Sequence, residues 1–233
     1  MSIRVCVIMP AYNEGDVIQG VVRSSLKVFN KSKHSVDVLV VNDGSSDNTE
    51  EEARKGGAKI VSHILNTGAG GATATGMNYA RKNSYDIAAT MDADGQHSPE
   101  DVLKGIEKIL KSKDDLLIGS RLIDSTGMSR VKVIGNKGLT FITYLLFGIN
   151  TTDSQSGLRI FSRKALEDLS WTTNGYEFCS EMLWRASQLE LKVGEYPVRA
   201  IYTEHSLGKG QSNWNAVNVI KSLVKRRLVE IFE

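Results

Sequence analysis

Val5-Cys-Val-Ile-Met-Pro-Ala-Tyr-Asn-Glu14 is an apolar, β-favouring run that breaks into a polar turn. The same change recurs along the first half of the chain. Residues 36–41 lead into Asn42-Asp-Gly-Ser45, residues 59–64 into Asn66-Thr-Gly68, and residues 87–91 into Asp92-Ala-Asp-Gly-Gln-His97, with a further run at 116–119. Between these runs, residues 16–29, 47–55, 70–82 and 99–110 carry helical patterns, the second with Asp47 and Glu50 close to a capping-box spacing. Strand and helix patterns in alternation predict an α/β fold with a mostly parallel central sheet and helices on both faces. In such a sheet, ligands bind beyond the carboxyl ends of the strands where strand order reverses. Four successive strand ends rich in polar groups are therefore where function is expected.

The second half reads less regularly. An amphipathic helix is expected at 131–147, a polar turn at 151–159, and a further helix at 177–189. The 233 residues suit one domain, taken as 1–212, followed by an amphipathic helix at 213–233 that packs on the domain, a dimer partner or a membrane surface. With 29 Lys and Arg against 27 Asp and Glu, the chain lacks the basic field that nucleic acid attracts. Cys6 and Cys179 fall in apolar surroundings without CxxC spacing and read as buried thiols of a reducing compartment. The start of the chain has no secretory pattern, and the apolar stretch 139–149 is far shorter than the roughly 20 residues a spanning helix needs. A cytoplasmic protein, peripheral at the cytoplasmic face of a membrane, is the expectation.

Asp92 and Asp94 follow a strand and are separated by one small residue, so their carboxylates can converge on a hard cation with Gln96 close behind. Asp-x-Asp alone is as often a solvated turn; its position after a strand favours the metal reading. Asp43, before Gly44, can accept hydrogen bonds from a nucleobase edge, although Asp-Gly-Ser is by itself only a turn. Tyr12 can stack on a base and Glu14 can bond base or ribose, though both are ordinary loop residues when taken singly. The glycine-rich stretch Asn66-Thr-Gly-Ala-Gly-Gly-Ala72 can present backbone N–H groups to an anion or simply allow close helix packing. It matches neither the Walker A pattern nor the dinucleotide fingerprint.

Taken in order, Pro10-Ala-Tyr-Asn-Glu14, Val41-Asn-Asp-Gly-Ser-Ser-Asp-Asn-Thr49, Met91-Asp-Ala-Asp-Gly-Gln-His-Ser-Pro99 and Asp153-Ser-Gln-Ser-Gly-Leu-Arg159 resemble family-2 glycosyltransferases. The match continues through Gly119-Ser-Arg121, Tyr176-Glu-Phe178, Glu181-Met-Leu183, Glu195-Tyr-Pro-Val198 and Tyr202, and is nearest to the dolichyl-phosphate sugar synthases. The resemblance implies a GT-A type nucleotide-binding fold. It also implies a nucleotide site at Pro10, Tyr12, Glu14, Asp43 and Asp92, and Mg2+ or Mn2+ held by Asp92, Asp94 and Gln96.

The reaction it implies moves a hexose or N-acetylhexosamine from a nucleotide diphosphate sugar to dolichyl or polyprenyl phosphate, with inversion. Asp153-Ser-Gln-Ser-Gly157 favours a UDP-sugar over GDP-mannose. Arg121 is the main cation expected to stabilise the leaving diphosphate, with Arg159 and Lys209 behind it as phosphate or acceptor contacts. Asp153 is either a general base, needed if the acceptor is a glycan hydroxyl, or the organiser of its own turn. A catalytically silent nucleotide-sugar binding module is the other alternative. Residues 206–212 are expected to form a lid, and a homodimer is compatible with the C-terminal helix.

Overall fold

The structure, a computed structural model, describes residues 2–201 and residue 221. The expected C-terminal helix apart from Lys221, the expected lid, Tyr202 and Lys209 lie outside the described residues. In chain order the elements are β1 (Arg4–Ala11), α1 (Ile18–Phe29), β2 (Ser35–Asn42), α2 (Thr49–Gly56), β3 (Lys59–Ser62), α3 (Ala69–Lys82) and β4 (Ile87–Thr90). They continue with α4 (Pro99–Lys111), β5 (Leu116–Ser120), α5 (Arg130–Phe147), β6 (Arg159–Phe161), α6 (Arg163–Asp168), α7 (Phe178–Gln188) and β7 (Val193–Pro197).

One seven-stranded sheet has the order β3-β2-β1-β4-β6-β5-β7. All neighbouring pairs are parallel except those of β6, which runs antiparallel to both β4 and β5. Each central strand is apolar on both sides because helices cover both faces. Cys6, Ile8, Leu39, Val41 and Ala88 join one cluster with Met77 of α3 and Met182 of α7. Val5, Val7, Met9, Val38 and Ala89 join the other with Ile18 of α1 and Ile106 of α4. The expected mostly parallel α/β sheet is therefore the one found.

The strand order reverses at β1, with β2 and β3 on one side and β4 on the other. Ile8 is in register with Thr90, and the Met91 amide donates to the Ile8 carbonyl at 3.0 Å. Pro10 and Asp92 therefore leave adjacent strands at one level. On the other flank Ala11 is in register with Asn42, and the Asp43 amide donates to the Ala11 carbonyl at 2.8 Å. Three of the polar strand ends thus converge on one crevice.

Two expectations need correction. The strand read through residue 64 ends at Ser62, and Ile64 and Leu65 are exposed. The stretch read as a polar turn to residue 159 runs into β6, while α6 and β7 were not anticipated at all. β6 has only three residues, too few for any period to show, and its placement depends on pairing with β4 and β5.

Both thiols are buried; the Cys6 thiol is pushed up to about 12, first by burial and then by the charge of Asp37. Among the described residues, no helix is long and apolar enough to cross a membrane.

Candidate active site

The loop after β4 forms the floor of the crevice. His97 Nε2 lies 3.0 Å from Asp92 Oδ2, and the Asp92 side chain keeps 48% of its surface open although protein surrounds it. Burial alone would raise the Asp92 carboxyl, but the His97 imidazole, and behind it Arg121 and Arg159, hold it below the usual carboxylate range. Asp94 goes the other way: burial and then the neighbouring Asp92 charge push its carboxyl up. The Gln96 amide donates to Asp94 Oδ1 at 3.0 Å, and the Gln96 side chain also bonds Oδ2.

Two carboxylates that resist joint ionisation, with an amide side chain beside them, are a hard-oxygen donor set suited to a divalent cation. No group of three or more His, Cys, Asp or Glu side chains able to hold a metal is found among the described residues. Asp92, Asp94 and Gln96 would fit a cation that also takes phosphate oxygens and water as ligands, as Mg2+ commonly does. Ser98 closes the loop: its hydroxyl caps α4 by accepting from the Glu100 amide at 3.2 Å, with Pro99 in the first helical turn.

The neighbouring side of the crevice is built from two interlocked loops. The Asn13 amide donates to Ser45 Oγ at 3.0 Å, the Ser46 amide to Asn13 Oδ1 at 2.9 Å, and the Glu14 amide to Thr49 Oγ1 at 2.8 Å. Asn13 takes a left-handed conformation at φ 54° to make this turn. Pro10 and Glu14 are half-buried and Tyr12 is 48% exposed, so the tyrosine ring is available at the crevice rim.

Asp43 is 3% exposed, and its oxygens accept from the Thr67 amide at 2.9 Å, Thr67 Oγ1 at 2.7 Å and the Gly68 amide at 2.7 Å, with a His63 ring nitrogen at 2.7 Å. These contacts take up the roughly four lone-pair sites of a carboxylate. Asp43 is thus the anchor of the wall formed by residues 63–68, and Gly44 at φ 69° lets that wall approach. Burial raises the Asp43 carboxyl, but the Thr67, His63 and Gly68 hydrogen bonds outweigh it and leave it below the ordinary value.

The glycine-rich stretch behaves as a packing element. The Gly68 amide goes to Asp43, and the Gly70 amide donates to the Asn174 carbonyl at 2.7 Å. A Cβ at Gly68 would lie 2.4 Å from the Asn174 carbonyl oxygen, and one at Gly70 2.3 Å from that of Thr173. The anion-cradle reading of residues 66–72 is not supported at these amides.

Arg121 donates from Nε at 2.8 Å and Nη2 at 2.9 Å to the two oxygens of Asp153, which has no exposed surface. The Arg121 amide also donates to Asp153 Oδ2 at 3.2 Å. A carboxylate enclosed under a guanidinium fork favours the turn-organising reading of Asp153 over the general-base one. The loop that carries it is held by Glu195, which accepts from Thr151 Oγ1 at 2.6 Å and the Thr152 amide at 2.8 Å.

Arg159 is 1% exposed and donates to the Ser154, Ser156 and Cys179 carbonyls at 2.8, 3.1 and 3.1 Å. It ties α7 to the loop before β6 and acts through space on Asp92. Two further residues stand near these carboxylates. Besides His97, Tyr176 has its hydroxyl raised by burial and then by the charges of Asp92, Cys179 and Asp94. Both lie inside motifs quoted above, but neither residue type announces a role there.

The pattern of glycosyl transferase family 2 matches residues 6–170. An uncharacterised protein of Methanocaldococcus jannaschii is 42% identical over 233 residues, covering 97% of this chain and 92% of its own. The UDP-N-acetylglucosamine–dolichyl-phosphate N-acetylglucosaminyltransferase of Methanococcus voltae is 37% identical over 249 aligned positions, covering 97% of each chain. Glucosyl-3-phosphoglycerate synthase from Mycobacterium tuberculosis, in complex with Mn2+, UDP and glucosyl-3-phosphoglycerate, shares the fold at TM-score 0.70 and 21% identity, over 96% of this chain and 80% of that one. A crevice at the reversal point with paired carboxylates at its floor, and a family pattern that runs from β1 to just past α6, make this chain a glycosyltransferase of glycosyl transferase family 2.

Proposed function

We propose that the protein transfers a hexose or N-acetylhexosamine from a nucleotide diphosphate sugar, a UDP-sugar in preference to GDP-mannose, to dolichyl or a related polyprenyl phosphate. The observation that carries this reading is the pairing of Arg121 with the sealed Asp153 beside the Asp92–Asp94 floor. A hydroxyl acceptor needs a base, whereas a phosphate monoester, with a second pKa of about 6, is already largely dianionic at neutral pH. The relative from Methanococcus voltae supports UDP-N-acetylglucosamine and dolichyl phosphate as the first substrates to try.

In this reading Asp92 and Asp94, with Gln96 beside them, hold Mg2+ or Mn2+, which supplies positive charge where the diphosphate leaves. Tyr12, Pro10 and Glu14 line the nucleoside side. Arg121, oriented by Asp153, faces the phosphates. An oxygen of the lipid phosphate attacks the anomeric carbon as the bond to the donor diphosphate breaks, so the configuration inverts and the nucleoside diphosphate departs.

A lipid acceptor requires a membrane surface. Helix α5 leaves Val131, Ile134, Phe141, Tyr144 and Leu145 exposed along one stripe, with Lys132 and Lys137 on the same helix, while Leu139, Thr140 and Thr143 face the domain. An apolar stripe with basic residues suits the head-group region of an anionic leaflet. Peripheral attachment at the cytoplasmic face, as a monomer or homodimer, follows from this reading.

The experiment is to incubate purified protein with Mn2+ or Mg2+, dolichyl phosphate and radiolabelled UDP-sugars and GDP-sugars, and to count label in the organic phase. Metal-dependent labelling from one donor supports the reading. Intact nucleotide binding without label from any donor sinks the lipid-phosphate acceptor.

A further inference from the structure

His97 is 3% exposed, although it sits in the loop that forms the crevice floor. Its Nε2 lies 3.0 Å from Asp92 Oδ2. An ionised carboxylate can only accept, so Nε2 carries the proton and donates it. Nδ1 is buried and has no partner among the described residues. A buried polar atom without a partner is costly, so the imidazole is held here for its one bond to Asp92 and not as part of a saturated network.

The same carboxylate is also backed by the chain. A Cβ added at Gly157 would fall 2.4 Å from Asp92 Oδ1 and 2.8 Å from Oδ2, so the whole carboxylate lies against the peptide backbone of residue 157. Gly157 is itself fixed, because Thr90 Oγ1 at the end of β4 donates to its carbonyl at 2.7 Å. Asp92 thus has an imidazole on Oδ2 and a glycine backbone against the carboxylate.

We infer that His97 is a positioning residue that engages Asp92 Oδ2 and so leaves Oδ1 as the single oxygen offered to a divalent cation, an inference that rests on Asp92 being a metal ligand as proposed above. Hydrogen-bond partners of metal-bound carboxylates act in this way, and removing one lowers metal affinity or activity by roughly 10–100-fold. Gly157 belongs to the same device, since any side chain there would displace Oδ1.

The test is direct Mn2+ binding, read as free Mn2+ by electron paramagnetic resonance, with and without UDP. His97→Met keeps bulk and removes the donor, whereas His97→Gln places an N–H donor at similar reach. The methionine variant is expected to bind Mn2+ roughly 10–100-fold more weakly, and the glutamine variant to recover most of the loss. Methionine binding within twofold of wild type, or equal losses in the two variants, overturns the inference. If the methionine variant does not fold, 15N spectra of the wild-type histidines decide: a proton on Nε2 whose resonance moves when Mg2+ and UDP are added supports the role, and a proton on Nδ1 with a bare Nε2 overturns it. Asp92→Asn and Asp94→Ala separate the two failures. If they abolish Mn2+ binding and His97→Met does not, only the role of His97 falls; if none of the three changes Mn2+ binding, the metal site itself was misassigned.

Discussion

Arg121 and Asp153 show how a side chain's chemistry depends on its partner. Asp153 is fully buried, and both its oxygens meet the Arg121 guanidinium, whose side chain is 17% exposed. Asp153→Asn keeps the shape but removes the counter-charge, and breaking a buried pair by removing one partner costs about 3–5 kcal/mol. The variant is therefore expected to melt earlier and to lose transfer activity through a displaced Arg121. Its activity should fall uniformly across pH 6–9; a selective loss on one limb of the pH–rate profile would restore the general-base role. At the metal floor, Asp94→Ala should abolish metal-dependent transfer and leave thermal stability unchanged or slightly raised, because it relieves a carboxyl held unfavourably by burial and by Asp92. Wild-type turnover in that variant would remove Asp94 from the site.

At the scale of elements, the wall of residues 63–68 hangs on one carboxylate. The Asp43 carboxyl is held below its ordinary value, so it adds stability above the unfolded-state value of about 3.9, and that stability is lost as pH falls through the lower folded value. Asp43→Asn should cost about 1–3 kcal/mol near neutral pH, and acid unfolding monitored by circular dichroism should become less steep below about pH 4. Unchanged acid sensitivity would show that Asp43 carries no part of it.

Helix α3 presses equally closely on β1. A Cβ at Gly76 would fall 2.3 Å from Ile8 Cγ2 in the core, so Gly76→Ala should destabilise by about 1–3 kcal/mol despite the better helix propensity of alanine. An increase in melting temperature would refute that packing. These elements were legible because α1 to α4 and β1 to β4 repeat one long alternating pattern, whereas β6 and β7, three and five residues long, gain their identity only from the strands beside them.

Across the whole molecule, the crevice and α5 set the geometry of the proposed reaction. If α5 rests on a bilayer, Phe141→Gln with Leu145→Gln should lower partitioning onto anionic vesicles by at least about tenfold, since burying each such side chain contributes about 1.5–3 kcal/mol. Binding of UDP should not change, because both residues are exposed and point away from the domain. Flotation of the double variant with vesicles at wild-type levels would release α5 from that role.

The α/β class and the order of the polar strand ends were legible in the chain, because hydrophobic period and turn chemistry are local and leave their mark on neighbouring residues, and the family was legible as a resemblance of several motifs in order. The tertiary structure decided which polar groups remain available. Asp43 meets Thr67 across 24 residues, Arg121 meets Asp153 across 32, and Arg159 meets the Cys179 carbonyl across 20. Asp43, Asp153, Asp92 and Asp94 look alike in the sequence. Asp43 and Asp153 are enclosed by distant donors, whereas Asp92 keeps 48% of its side-chain surface open, because a carboxylate's role is set by which groups the fold brings to it.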